Sequence, residues 1–316
     1  MLDSIRFVQG AVAKKDFSPE LTHFHIEDHK IKGFNGSMAL CGPIELDLNV
    51  TPKATPFVKA IRTCKKTISL HVGNNGKLVV KSGSFKAFID CSEEAFPVIE
   101  PEGELIEIPS GVLGVLKKLA PFVADDASRP WACGILFRGQ SAFATNNACL
   151  VEHWLESPFP FEVCIPQKAI AEILRIKEEP VAIQVSESNM TFHFAGDRWL
   201  RCQMLDTEWP DIASLLNKES NQTPIPEGFH EAVEDLSQFG DEISRLYFLG
   251  DKISTTPSGI EGAIVEVAGM PEEGCFSAQF LCLLKGVATT FDMDAYPKPC
   301  AFFGDKIRGV MMGVRE

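Results

Sequence analysis

The sequence predicts an α+β protein of three like domains in tandem. Three observations carry the prediction. One turn-and-strand pattern is written three times, about a third of the chain apart. β-rich runs come in pairs joined by Asn, Gly and Ser turns, as hairpins do. Short amphipathic helices open on or near a proline, where a missing N–H is harmless.

The repeat is read from matching landmarks. Phe96-Pro97 and Trp209-Pro210 close corresponding segments, and Gly83 and Gly196 sit at corresponding hairpin ends. Thr51-Pro52, Ile165-Pro166 and Phe276-Ser277 open corresponding helices. Phe34-Asn35-Gly36, Thr145-Asn146-Asn147 and Pro257-Ser258-Gly259 mark the earlier half of each copy. A period this long exceeds the roughly 20–50 residues of solenoid repeats, so each copy is a small domain. Polar, proline-bearing stretches at Val98–Glu104 and Asn217–Pro226 read as linkers. The expected domains are therefore 1–104, 105–218 and 219–316, and three like domains suggest rotational symmetry and a ring.

Within each domain the expected elements recur. The early-half hairpins are Thr22 to Ile26 with Lys30 to Phe34, Cys133 to Phe137 with Ser141 to Thr145, and Arg245 to Leu249 with Lys252 to Thr256. The late-half hairpins are Thr67–Val72 with Lys77–Gly83, Val181–Val185 with Met190–Gly196, and Cys300–Phe303 with Ile307–Met312. Helical spacing puts Phe57, Ile61 and Cys64 on one face, with Lys59, Arg62 and Lys66 opposite. Leu113, Leu116 and Ala120 are expected to face in while Lys117 and Lys118 stand out. Ile170, Ile173 and Leu174 form another stripe, with Lys168 and Arg175 on the other face. In the third domain Leu281 and Leu284 are expected inside and Lys285 outside. The helices' outer faces thus lean basic, except for 227–239, which carries Glu231, Glu234 and Asp235.

Composition narrows the class. With 316 residues, 45% hydrophobic and 23% charged, the chain is that of a folded protein of more than one domain. No stretch approaches the roughly 20 apolar residues of a membrane span, and no signal peptide opens the chain, so a cytoplasmic location is expected. None of the ten cysteines forms a C-x-x-C pair, and most lie in apolar runs, as reduced core residues do. A net charge of −13 argues against nucleic-acid binding through the whole surface, but not through one basic face.

Several segments resemble the bacterial-type sliding clamp, the DNA polymerase III β processivity subunit. These are Lys81-Ser-Gly-Ser with Phe96-Pro, Ile165 to Arg175, Gln203-Met-Leu-Asp-Thr-Glu-Trp-Pro-Asp211, Phe143 to Leu150, and Met311 to Arg315. Two departures stand out. Where that family has Asp-Gly-His-Arg this chain has Asn146-Asn147-Ala148-Cys149, and Gly313 replaces a proline. They fit a divergent member, such as one encoded by a phage or plasmid.

The resemblance implies three tandem DNA-clamp domains, each of two β-sheets with two helices, forming half of a ring. It implies a head-to-tail homodimer around double-stranded DNA, held without sequence preference, with a replicative DNA polymerase and a clamp loader as partners. It implies no catalysis, no cofactor and no metal. The pore-facing cations would be Lys59, Arg62, Lys117, Lys118, Lys168, Arg175 and Lys285, with Arg6 and Lys14 as further candidates. The partner-peptide pocket would be Ala132, Thr145, Asn147, Ala148, Cys149, Leu150, Pro210, Leu215, Met311, Met312, Gly313, Val314 and Arg315. Lys81 and Lys86 would face Glu261 and Glu266 of a second copy.

Other chemistry finds less support in the residues. His23, His25 and His29 read as an exposed strand face and turn, and Asp292 and Asp294 as a solvated loop. No phosphate-binding loop or nucleophile elbow is present. Two alternatives stay open: a ring or crescent scaffold that does not encircle DNA, and a thiol enzyme using Cys149 near His153.

Overall fold

The structure, a computed structural model, describes residues 1–16, 18–205, 207–239 and 244–314. The expected hairpins form. In the third repeat, however, the pair Cys300–Phe303 with Ile307–Met312 is the later one. It is the counterpart of Leu78–Ser82 with Phe85–Ile89 rather than of Ser69–Val72 with Leu78–Ser82, because Ile307–Met311 is the strand that joins the neighbouring early half. The first has β1 (Phe24–Glu27), β2 (Lys30–Phe34), β3 (Met38–Pro43), β4 (Ser69–Val72), β5 (Leu78–Ser82) and β6 (Phe85–Ile89). The second has β7 (Ile106–Glu107), β8 (Gly134–Arg138), β9 (Ser141–Thr145), β10 (Cys149–Trp154), β11 (Val163–Pro166), β12 (Ala182–Val185), β13 (Asn189–Phe194) and β14 (Arg198–Gln203). The third has β15 (Arg245–Phe248), β16 (Lys252–Ser254), β17 (Ile264–Glu266), β18 (Gly274–Ser277), β19 (Thr290–Phe291), β20 (Cys300–Gly304) and β21 (Ile307–Met311). The helices are α1 (Leu2–Val8), α2 (Pro19–Thr22), α3 (Ala54–Thr63), α4 (Val112–Leu119), α5 (Gln167–Ile176), α6 (Ala213–Leu216), α7 (Phe229–Leu236) and α8 (Ala278–Cys282).

The chain forms two compact units, 1–113 with 171–204, and 114–170 with 205–316. The first unit holds a seven-stranded sheet, β1-β2-β3-β14-β13-β12-β7, and a three-stranded sheet, β4-β5-β6. Its core sits where Phe24 meets Phe57 of α3 edge to face, and where Phe7 of α1 meets Phe194. The second unit holds a seven-stranded sheet, β11-β8-β9-β10-β21-β20-β19, and a four-stranded sheet, β17-β16-β15-β18. Phe229, Phe248, Phe276 and Phe291 follow one another through its interior with ring centroids 5.1–6.1 Å apart, the middle pair stacked and the outer two edge to face.

Each sheet is assembled from repeat halves. An early half (β8, β9, β10 and β11) meets a late half (β19, β20 and β21) at the β10–β21 pair. Another early half meets another late half at β3–β14. The remaining early half, β15 to β18, and late half, β4 to β6, have no such partner among the described residues, which leaves β17 and β6 as open edges.

Several details differ from the sequence expectation. The apolar stripe of α4 is Val112, Val115, Leu116 and Leu119, an i, i+3, i+4, i+7 set, while Leu113 and Ala120 are half-buried. Helix α3 ends before Cys64 and Lys66, and α8 stops at Cys282, so Lys285 stands in the turn beyond it. Lys14 lies beyond the N-terminal helix. The linkers are fastened rather than free. Ile99 is buried, Gln184 Nε2 donates to the Gly103 carbonyl at 2.7 Å, and Asp292 accepts from the Asn221 amide at 2.9 Å. Asp292 is therefore a buried strap anchor instead of a solvated loop residue. His23 is buried, and His25 is half-buried, stacked on Phe96 at 5.0 Å. Among the described residues no cluster of His, Cys, Asp or Glu is placed to hold a metal ion, and no helix is long and apolar enough to cross a membrane.

Candidate partner-binding cleft and basic faces

The cleft in the second unit is built on the turn between β9 and β10. Asn146 Oδ1 accepts from the amides of Ala148 at 3.1 Å and Cys149 at 2.7 Å. Thr145 Oγ1 donates to the Cys149 carbonyl at 2.7 Å and accepts from the Asn147 amide at 3.1 Å. Asn147 takes a φ of +72°, a left-handed conformation that Asn tolerates better than most residues. Arg129 Nη1 donates to Asn147 Oδ1 at 2.9 Å, so the turn's side chains are held from outside as well.

This frame borders an apolar hollow of about 180 Å³. Leu150 and Val310 stand opposite each other in the β10–β21 register. They join one buried cluster with Leu136, Phe143, Cys164, Trp209, Ile212 and Leu216. Trp131 meets Trp209 edge to face at 5.4 Å. Met312 closes one side, its amide donating to the Ala148 carbonyl at 2.8 Å. The flexible thioether suits a wall that must adapt to a ligand.

The structure gathers Thr145, Asn147, Ala148, Cys149, Leu150, Pro210, Leu215 and Met312 around the hollow. Ala132 and Met311 lie fully buried and are not among the lining residues. Gly313 and Val314 turn away. A Cβ on Gly313 would fall 2.5 Å from the Tyr296 ring, and the Val314 amide donates to the Cys275 carbonyl at 2.8 Å. Arg315 lies outside the described residues. Sequence reasoning missed Arg129, Trp131, Asp211, Ile212, Pro299 and Val310 as lining residues. Alternation along the last strand was a usable signal for Val310, because it shares a strand face with Met312.

The same geometry bears on thiol chemistry. Burial pushes the Cys149 thiol far above the ordinary thiol range, and Cys164 up to about 11. Burial, and then the charge of Lys118, hold His153 below the usual imidazole range. A nucleophilic cysteine needs its thiolate near neutral pH, so this pair is set against that role.

The expected basic residues divide between exposed and engaged. In the first unit Lys59 and Arg62 are exposed on α3, with Arg62 Nη2 donating to Gln9 Oε1 at 3.3 Å. In the second unit Lys117 and Lys168 are exposed and Lys118 is half-buried. Arg175 is tied down: Nε reaches both Glu172 oxygens at 2.9 Å, and Nη1 and Nη2 reach the Arg6 and Phe7 carbonyls at 3.0 and 2.7 Å. Glu172 is buried, so Arg175 supplies its counter-charge. Lys285 Nζ sits 2.7 Å from Glu234, whose carboxylate raises its pKa.

No protein-family model matches the chain. A curated relative, the beta sliding clamp of Buchnera aphidicola, is 26% identical over 167 residues, which cover 49% of this chain and 45% of that protein. The match thus spans less than half the length of that relative. Among solved structures, the pol III beta of Caulobacter crescentus superimposes with a TM-score of 0.84 at 19% identity. The sliding clamp of Bacillus subtilis does so at 0.82 and 20%. The Helicobacter pylori beta clamp bound to a DNA ligase peptide does so at 0.80 and 19%. Each superposition covers 100% of this chain and 97% of the other. The fold is that of the bacterial β sliding clamp.

Proposed function

We propose that this chain is a DNA sliding clamp: a non-catalytic ring that encircles duplex DNA and tethers a replicative polymerase. On this reading its three domains are 1–104, 105–218 and 219–316. It works in the bacterial cytoplasm, including that of a phage-infected cell, and is placed on DNA by a loader. The carrying observation is the strand order. The two complete seven-stranded sheets each join an early repeat half to a late one. The two incomplete sheets, β18-β15-β16-β17 and β4-β5-β6, supply one missing half each. Pairing β17 of one copy with β6 of a second makes a third sheet of the same pattern, and heterologous contacts of this kind close a ring when the rotation permits. Pairing also covers two open edges that otherwise invite aggregation.

The β10–β21 register carried over places Ile264 opposite Lys86 and Val265 opposite Phe85, with Glu266 diagonal to Lys86. Ile264 and Phe88 are large apolar side chains left 39% and 54% exposed on these edges, as an unmade interface would leave them. Lys81 lies on the central strand β5, so Lys86 is the edge lysine of the expected pair. Ile264→Lys is expected to convert a dimer to a monomer in light scattering. Lys86→Glu is expected to weaken the dimer, and Glu266→Lys added to it to restore much of the loss. A monomeric wild type at micromolar concentration and low salt overturns the ring.

Lys59, Arg62, Lys117, Lys118 and Lys168 are assigned to weak phosphate contacts, with Lys285 contributing once Glu234 releases it. Arg175 is assigned to holding α5 as well as to DNA. Such contacts carry no sequence information, which is what sliding requires. Each phosphate neutralised adds about −0.9 to the slope of log K against log salt. Retention on circular but not on linear DNA after loading tests encirclement. Equal retention favours the scaffold reading, which the −13 net charge and the ion-paired Arg175 and Lys285 also suit. The apolar cleft of the second unit is assigned to extended peptides of the polymerase and loader. The Helicobacter pylori clamp of like fold holds a DNA ligase peptide.

A further inference from the structure

The first unit carries a second cleft of the same size, about 180 Å³, and it is the repeat counterpart of the first. Its turn repeats the Asn-centred hydrogen bonds, with Phe34 in the place of Thr145. Asn35 Oδ1 accepts from the amides of Ser37 at 3.2 Å and Met38 at 2.9 Å. The Asn35 amide reaches the Met38 carbonyl at 3.1 Å, as Asn146 reaches Cys149 at 3.2 Å. Gly36, at φ +91°, holds the left-handed position of Asn147. The strand registers agree too: Cys202 pairs with Met38 as Met311 pairs with Cys149, and Arg201 pairs with Ala39 as Val310 pairs with Leu150.

The register therefore shows what has changed. Arg201 stands where the other cleft has Val310, Gln203 where it has Met312, and Asn189 where it has Pro299. Three apolar walls have become hydrogen-bonding ones, while Met38, Pro97 and Ile99 keep an apolar side. Arg201 is mostly buried. Its Nη2 donates to Glu102 at 2.8 Å, and its Nε has no acceptor among the described residues. Glu102 is half-exposed, and an exposed carboxylate exchanges readily with a competing one. A guanidinium has five donors, so one partner leaves capacity for another.

We propose that this cleft, lined by Met38, Pro97, Ile99, Asn189, Arg201 and Gln203, is a second docking site that takes an extended acidic peptide. The proposal rests on reading the second unit's cleft as a peptide site. In this cleft an apolar side chain lies on Met38, Pro97 and Ile99. A carboxylate one or two residues away takes the place of Glu102 on Arg201, and Asn189 and Gln203 meet the peptide backbone.

The test uses the full-length protein and two diazirine-labelled pentapeptides, acetyl-Ser-Leu-Ser-Phe-Asp with a free C-terminus and its neutral counterpart ending in Asn-amide. Cross-links are mapped by mass spectrometry, and affinities are measured by anisotropy. The acidic peptide is expected to mark both 34–39 or 97–99 and 147–150 or 210–215. Arg201→Gln is expected to weaken the first set about ten-fold without moving the second. Ala148→Trp is expected to remove only the second. The neutral peptide is expected to mark only the second. Cross-links confined to the second unit overturn this proposal and leave the first cleft's reading standing. Cross-links confined to the first unit overturn that reading instead, and none in either, with native circular dichroism, overturns both. First-unit labelling that is indifferent to Arg201→Gln and to peptide charge overturns the acidic specificity.

Discussion

At the turn between β9 and β10, Asn146 gathers the amides of Ala148 and Cys149; between β2 and β3, Asn35 gathers those of Ser37 and Met38. The two turns share a left-handed residue, a strand register and a hollow of about 180 Å³. Beneath the second unit's hollow lies a buried cluster that includes Trp209, Ile212, Leu216, Leu150 and Val310. Its counterpart in the first unit is smaller, with Ala39, Cys41, Ile99 and Trp199, and Arg201 stands in the place of Val310. Turn chemistry and register fix a backbone frame, and side chains on that frame then diverge independently. A repeat can therefore conserve a pocket's shape while reversing what it attracts.

The depth of the two floors is the sharpest contrast. Trp209→Ala is expected to destabilise the protein by about 3–5 kcal/mol, the usual range for emptying a buried large aromatic site. Phe96 occupies the corresponding place but is only half-buried against His25, so Phe96→Ala is expected to cost less than about 2 kcal/mol. Urea unfolding followed by circular dichroism, at one fixed protein concentration, measures both. Equal losses would mean that the first unit's turn is as deeply anchored as the second's, and the comparison would fail.

The walls come next. Met312→Ala is expected to weaken a polymerase C-terminal peptide about ten-fold, close to 1.4 kcal/mol, and to leave the oligomeric state unchanged. Gln203→Ala, at the corresponding position, is expected to leave that apolar peptide unaffected. If both substitutions weaken it alike, the peptide binds in each cleft. If neither does, its site lies elsewhere.

Much of this frame was legible in the sequence. The Asn35 and Asn146 turns, the glycine-ended hairpins and the Phe96-Pro97 and Trp209-Pro210 pairs are local signals, and each appears where spacing put it. Long-range packing was not legible. Periodicity marked Lys168 and Arg175 as alike, since both lie on the outer face of α5. It carried no sign that Arg175 would be drawn to buried Glu172 and to the carbonyls of Arg6 and Phe7, far away in the chain. Nor did it show that α8 would stop at Cys282, or that Asp292 would anchor the segment around Asn221. The cleft residues missed, Trp131 and Pro299 among them, enter through the fold rather than through the motif.

The finest contrast is in titration. His153 of the second unit and His193 of the first both have pKa values lowered by burial. For His153 the charge of Lys118 lowers it further, against a smaller opposing pull from the Trp154 backbone. His193 Nε2 instead lies 2.7 Å from Gln184 Oε1, which accepts a hydrogen bond from it when that nitrogen is protonated. Because each folded-state pKa lies below the unfolded one, the unfolded chain binds more protons in this range. Stability is full above the unfolded imidazole value of about 6.5 and falls as pH drops from there toward the folded-state values. His153→Gln is expected to flatten the stability profile between about pH 7 and 5 more than His193→Gln does. Urea midpoints across that range check it. A profile unchanged by His153→Gln would mean that its imidazole finds a hydrogen-bond acceptor on charging, and the contrast with His193 would then fail.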